Sequence, residues 1–120
     1  MKIFIPIAPL SVNKCWQGRR FKTKESKVYD MNVANCIKRI ATLIEPVKAD
    51  WYEVHYEFYV KNFGMTDVDN LIKQTQDCIV RAGIISDDRR IKRIVVEKFQ
   101  ASEGVPCGTA VEILAYLREN

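Results

Sequence analysis

Apolar and polar positions alternate at the start of the chain. Ile3, Ile5 and Ile7 are set off by Phe4 and Pro6, so residues 1–7 are expected to form a strand. Residues 8–22 form a long connection carrying Pro9, Ser11, Asn13 and Gly18. A stretch of that length without evident structure often serves function. From about residue 23 to 43 the spacing becomes three and four. Val28, Met31, Val33, Ala34, Ile37, Ile40, Ala41 and Ile44 make a broad helical stripe, with Thr23 or Ser26 to cap it and Pro46 to end it. Residues 50–62 alternate again. Tyr52, Val54, Tyr56, Phe58 and Val60 face one way, and Trp51, Glu53, His55, Glu57 and Tyr59 the other.

After a turn at Gly64, a second helix is expected over residues 69–82. It packs through Leu71, Ile72, Thr75, Cys78, Ile79 and Ala82 and stops at Gly83. Residues 91–100 and 109–117 read as strands, and the segment between them holds Gly104, Pro106 and Gly108, a hairpin-like signal. The order is β-α-β-α-β-β. It implies a single small α/β domain over residues 1–120, with a mixed sheet of about four strands and both helices on one face.

Composition narrows the class. No apolar run approaches the roughly 20 residues of a membrane helix, so no membrane partner is expected. The N-terminal stretch is broken by Pro6 and Pro9 and lacks a signal-peptide pattern. A cytoplasmic protein is the expectation. Cys15, Cys36, Cys78 and Cys107 include no C-x-x-C pair, which suits reduced structural thiols better than a zinc site or a disulfide scaffold. Net charge is only +4, but it is clustered. Lys14, Arg19, Arg20, Lys22, Lys24 and Lys27 form one basic group; Arg89, Arg90, Lys92 and Arg93 form another. Two such clusters fit phosphate binding, or two solvated faces. His55 lies between two glutamates on the wetter strand face, as a partly exposed histidine.

The densest candidate chemistry is Asp67-Val68-Asp69-Asn70-Leu71-Ile72-Lys73, followed by Asp77 and later by Asp87-Asp88. Two aspartates on a turn can converge, and Lys73 lies one helical turn beyond Asp69. Carboxylates with a lysine suit a hard divalent cation acting on a phosphodiester. The alternative is a helix cap followed by an Asp69–Lys73–Asp77 salt-bridge ladder. There is no G-x-x-x-x-G-K-[ST] loop and no Ser/Cys–His pairing around His55.

The segment from Asp67 to Asp88 resembles the acidic motif of the RusA family of Holliday-junction resolvases. The likeness lies in D-x-D-N-x-x-K, a later Asp in the same helix, A-G at its end and D-D beyond. Pro9, Ser11 and Asn13, and Tyr29 in the first helix, are also similar. The resemblance implies a homodimeric, Mg2+-dependent endonuclease, with Mn2+ as a substitute, that makes paired nicks in four-way junction DNA during recombination and repair. It implies catalytic carboxylates, which are also the metal ligands, at Asp67, Asp69 and Asp88, and an essential lysine at Lys73. Asn70 would support the turn. DNA contacts at Lys14, Arg19, Arg20, Lys22, Arg89 and Arg90 are assigned by charge, and Trp16 and Phe21 could stack on unpaired bases. A metal nuclease for flaps or single strands, or a non-catalytic DNA-binding dimer, would share these features.

Overall fold

The computed structural model describes residues 1–10, 16–17, 21–43 and 45–117, with backbone alone at 16–17 and 21–22. Four strands form the main sheet: β1 (Lys2–Ile5), β4 (Tyr52–Val60), β5 (Ile91–Gln100) and β6 (Gly108–Ala115). Their spatial order is β1-β6-β4-β5. β4 pairs in parallel with β5 and antiparallel with β6, and β1 is antiparallel to β6. Within the expected long connection, Trp16–Gln17 (β2) and Phe21–Lys22 (β3) form a short antiparallel ribbon. The helices are α1 (Lys24–Ala41) and α2 (Asp69–Arg81).

The period-two reading of the central strand holds. Tyr52, Val54, Tyr56, Phe58 and Val60 are buried beneath the helices with Ile3, Ile5, Val111 and Ile113. The hairpin-like signal before β6 proves to be something else. Ser102 and Val105 do close a tight turn, but β4 lies between β5 and β6, so the connection crosses the end of that strand. Turn residues report that the chain reverses, not which strand it reverses onto.

Thr23 caps α1, its hydroxyl accepting from the Ser26 N–H at 3.2 Å. The buried face is Ser26, Tyr29, Val33 and Ile37, whereas Val28 and Met31 from the expected stripe are exposed. The helix ends at Ala41, before Pro46, and the Thr42 hydroxyl donates to the Arg39 carbonyl at 2.8 Å. A polar seam fixes α1 against α2. Tyr29 Oη and Thr75 Oγ1 lie 2.8 Å apart in full burial. The Gln74 amide donates to Ser26 Oγ at 3.2 Å and to the Asp30 carboxylate. Fully satisfied buried polar pairs of this kind specify one register, and the Tyr29 of the resemblance thus acts as a strut for α2.

The opposite sheet face carries His55, Glu57, Glu97 and Glu112 with Lys2 around a shallow hollow of about 250 Å3. Its acidic balance disfavours phosphate backbone on that side. β1 and β6 approach closely at Gly108, where a β-carbon would come within 2.6 Å of the Ile5 carbonyl oxygen. Backbone cannot yield as a side-chain tip can. Gly108→Ala is therefore expected to cost about 1–3 kcal/mol, read as a lower midpoint in thermal melting.

Candidate active site at the two ends of the second helix

The turn after β4 leads through a 3-10 segment, Phe63–Met65, to Thr66 and Asp67. Asp67 and Asn70 line a cleft of about 510 Å3, together with Pro9, Val60, Met65 and Cys107. The N-terminal Pro9 and the acidic segment thus meet in space. Ser11, Asn13 and Cys15 lie outside the described residues. Cys36, Cys78 and Cys107 form no disulfide.

The capping alternative required an aspartate side chain to accept from the first N–H groups of α2. None does: the cap position is Val68, with no side-chain bond. The Asp67 backbone carbonyl accepts from the Asn70 N–H at 3.2 Å. Both Asp67 and Asp69 are exposed, and among the described residues their carboxylates make no hydrogen bond or ion pair. The ladder is reduced to one rung, Lys73 Nζ to Asp77 Oδ2 at 3.5 Å. Asp69, in the first turn, sits where the helix dipole favours negative charge.

The later pair divides its labour. Asp87 Oδ1 accepts from the Arg89 N–H at 2.9 Å, and Oδ2 accepts from Arg89 Nε at 3.0 Å and Nη2 at 2.7 Å. The Arg89 guanidinium, then its backbone N–H, hold the Asp87 carboxyl well below the usual carboxylate range, and the same pairing raises Arg89. Asp87 is thereby engaged as the cap of the 3-10 turn Asp88–Arg90, whose first residue, Asp88, stands exposed.

The two acidic groups lie at opposite ends of the sheet. Asp67 follows Thr66, whose carbonyl is held by Lys98 near the end of β5. Asp88 opens the 3-10 turn that leads into β5, where Ile91 pairs with Tyr52. From Ile91 to Lys98 a strand rises about 23 Å. The 13 residues of α2 cover a similar distance, about 20 Å at 1.5 Å per residue. Consistently, among the described residues no group of three or more His, Cys, Asp or Glu side chains is close enough to hold a metal ion. The carboxylates of one chain therefore do not by themselves fit a three-aspartate ion site.

His55 does not join them. Its Nε2 lies 2.6 Å from Glu53 Oε2, and Glu53 Oε1 lies 3.4 Å from Arg93 Nη1, on the acidic sheet face. Of the basic residues assigned by charge, Arg89 and Arg90 stand exposed at the Asp88 end. Lys14, Arg19 and Arg20 lie outside the described residues, as do the side chains of Lys22, Trp16 and Phe21. Tyr56, beneath α2, donates to Gln76 Oε1 at 3.0 Å. Burial pushes its phenol far above the usual range, with Tyr29 and Asp77 adding to the rise.

Lys98 escaped the sequence reading. From β5 its ammonium donates to the carbonyls of Phe63 at 2.5 Å and Thr66 at 2.8 Å, and it lies 4.3 Å from the Phe63 ring centroid. It pins the turn that presents Asp67. Charged hydrogen bonds are the stronger kind, so Lys98→Met is expected to lower stability by about 1.5 kcal/mol. Cleavage should fall with it while DNA binding in EDTA holds. Parallel melting, binding and nicking assays check this.

A search of curated proteins finds no match. The family described as Endodeoxyribonuclease RusA matches residues 9–114, a span that takes in the Pro9 wall of the cleft, all of α2 and both acidic groups. With nearly the whole chain matched, the protein belongs to the RusA endodeoxyribonuclease family.

Proposed function

We propose that the chain is a divalent-metal-dependent endonuclease that acts as a homodimer on four-way DNA junctions and resolves them by paired symmetric nicks. Family membership supports the nuclease. The observation that carries the dimer is the separation of Asp67 and Asp69 from Asp88 by the length of α2. Two copies of α2 running antiparallel about a twofold axis would bring the Asp69 end of one against the Asp88 end of the other.

The outer face of α2 suits that pairing. Asp69, Lys73, Asp77 and Arg81 follow one another at four-residue intervals. Set antiparallel about the helix midpoint, Asp69 opposes Arg81 and Lys73 opposes Asp77, opposite charges in every case. The 3-10 turn bearing Asp88 packs on α2, so it would follow the C-terminal half of the helix into the same junction. Each site would then combine Asp67 and Asp69 of one protomer with Asp88 of the partner subunit.

Such a site has the all-oxygen donor set that Mg2+, or Mn2+ in its place, prefers. A bound ion would supply Lewis-acid polarisation of the phosphodiester and a more acidic water. The chain's own residues do the rest. The Lys73 ammonium, one turn along α2, offsets negative charge that develops on the phosphate. Arg90, beside Asp88, holds the adjoining backbone. Twofold symmetry matches two equivalent sites to the two equivalent scissile phosphates of a junction.

The test compares a synthetic four-way junction, a flap and a linear duplex, each with Mg2+ and with EDTA. Paired nicks on the junction alone, abolished by EDTA, are expected. Preferred cutting of the flap would assign a different branched substrate, and binding without metal-dependent nicking would leave a non-catalytic DNA-binding protein.

A further inference from the structure

Three strand ends converge beside Asp88. Trp51 stands immediately before β4, Arg90 and Lys92 flank the start of β5, and Tyr116 follows β6. The Tyr116 N–H donates to the Trp51 carbonyl at 2.9 Å, which fixes the two aromatic residues side by side. Lys92 Nζ lies 5.0 Å from the indole centroid and 5.5 Å from the Tyr116 ring centroid. The Arg90 guanidinium lies 5.9 Å from the indole, and its Nη1 donates to the Asp50 carbonyl at 3.2 Å. Arg90 makes no ion pair with a carboxylate among the described residues. Trp51 nonetheless remains 42% exposed, a costly position for one of the two tryptophans.

We propose that Trp51, Arg90, Lys92 and Tyr116 form a strand-binding platform, in which the cations beside the rings meet phosphates and the indole offers stacking surface to an unpaired base beside the branch point. The inference rests on the junction-nuclease reading and deepens it by naming how the strand is held at the Asp88 end. Two cations poised over aromatic rings lose less freedom on meeting a phosphate than solvated side chains do. Rings interleaved with cations are the combination that grips single-stranded nucleic acid, through stacking and backbone charge together. An acidic peptide would use the cations but not the ring faces. Charge alone marked Arg90 and Lys92; the aromatic half of the platform became visible only when three strand ends were placed together.

The chain has two tryptophans, so a Trp16→Phe background leaves Trp51 as the sole indole reporter. In EDTA, titration with a four-way junction and with oligo-dT should quench its emission saturably. Trp51→Leu should weaken junction binding roughly 5- to 100-fold, the range for losing one stacked base. Should that variant fail to fold, the Arg90→Gln, Lys92→Gln double variant carries the test. It should lower the log–log salt slope of binding by about two, one for each lost phosphate contact. Junction binding and cleavage that proceed with Trp51 emission unmoved, affinity unchanged in Trp51→Leu and the salt slope unaltered would overturn the platform and leave the nuclease reading intact. Saturable quenching by polyglutamate but not by oligo-dT would overturn it in favour of an acidic protein partner. A wild-type chain that binds no DNA would overturn both.

Discussion

Asp67→Asn, Asp69→Asn and Asp88→Asn are each expected to abolish junction cleavage while leaving the fold and junction binding in place. The carboxylates of Asp67 and Asp69 support nothing else in the chain: neither caps α2, and neither is paired among the described residues. Removing the Asp69 charge forfeits its interaction with the helix dipole, about 0.3–1 kcal/mol, and in the proposed dimer an ion pair across the α2 contact worth at most about 1 kcal/mol. Asp88 is exposed at the tip of its 3-10 turn, and the turn itself is held by Asp87. Loss of nicking with melting midpoints moved by no more than several degrees and unchanged binding in EDTA is therefore the expected pattern. Asp87→Asn should behave differently, releasing Arg89 and slowing cleavage without ending it. Full cleavage by any of the first three variants would remove that residue from the site.

Lys73→Ala is expected to slow cleavage by roughly 100- to 1000-fold, the usual effect of losing one preorganised charge stabiliser. Lys73 is 65% exposed, and its pairing with Asp77 is a surface contact worth at most about 1 kcal/mol. A structural role alone would therefore leave both rate and stability nearly unchanged. Asp77→Asn provides the comparison. It breaks the same ion pair from the other side, and it should alter the rate only a few-fold. A Lys73→Ala rate equal to that of Asp77→Asn would reduce Lys73 to a surface partner.

The strands and helices were largely legible because their periods are strong. Alternation through residues 52–60 gives β4 and its buried face, and Leu71, Thr75, Cys78 and Ile79 give α2. Composition could not tell which flank of α1 turns inward. Its packing face runs through polar Ser26 and Tyr29, matched to Gln74 and Thr75 from a distant segment, while apolar Val28 and Met31 face outward. Lys98 was hidden for the same reason: its partners are carbonyls more than thirty residues away, and carbonyls leave no mark in sequence.

The acidic motif shows a subtler limit. Spacing along a helix fixes which side chains are neighbours on it, so Asp69, Lys73 and Asp77 could be placed together. It does not bring together groups on either side of that helix. The chain between Asp69 and Asp88 spends 13 residues in α2, and a helix of that length carries it to the far end of the sheet. Convergence of three carboxylates was an expectation about one chain. Within one chain α2 keeps Asp69 apart from Asp88, and the proposed dimer is what would join them.

The central claim is that each site is shared between protomers, and mixing two inactive variants tests it most directly. In a heterodimer of Asp69→Asn and Asp88→Asn, shared sites place both substitutions in one site and leave the other fully native. Such a heterodimer, isolated by distinct affinity tags after co-refolding, should regain single-strand nicking of a four-way junction in Mg2+. A heterodimer of Asp67→Asn and Asp69→Asn, both altered at the same end of α2, should stay inactive. If each site instead lies within one chain, the Asp69→Asn and Asp88→Asn heterodimer carries a defect in both sites. It would then remain as inactive as its parents, and that result would contradict the shared site.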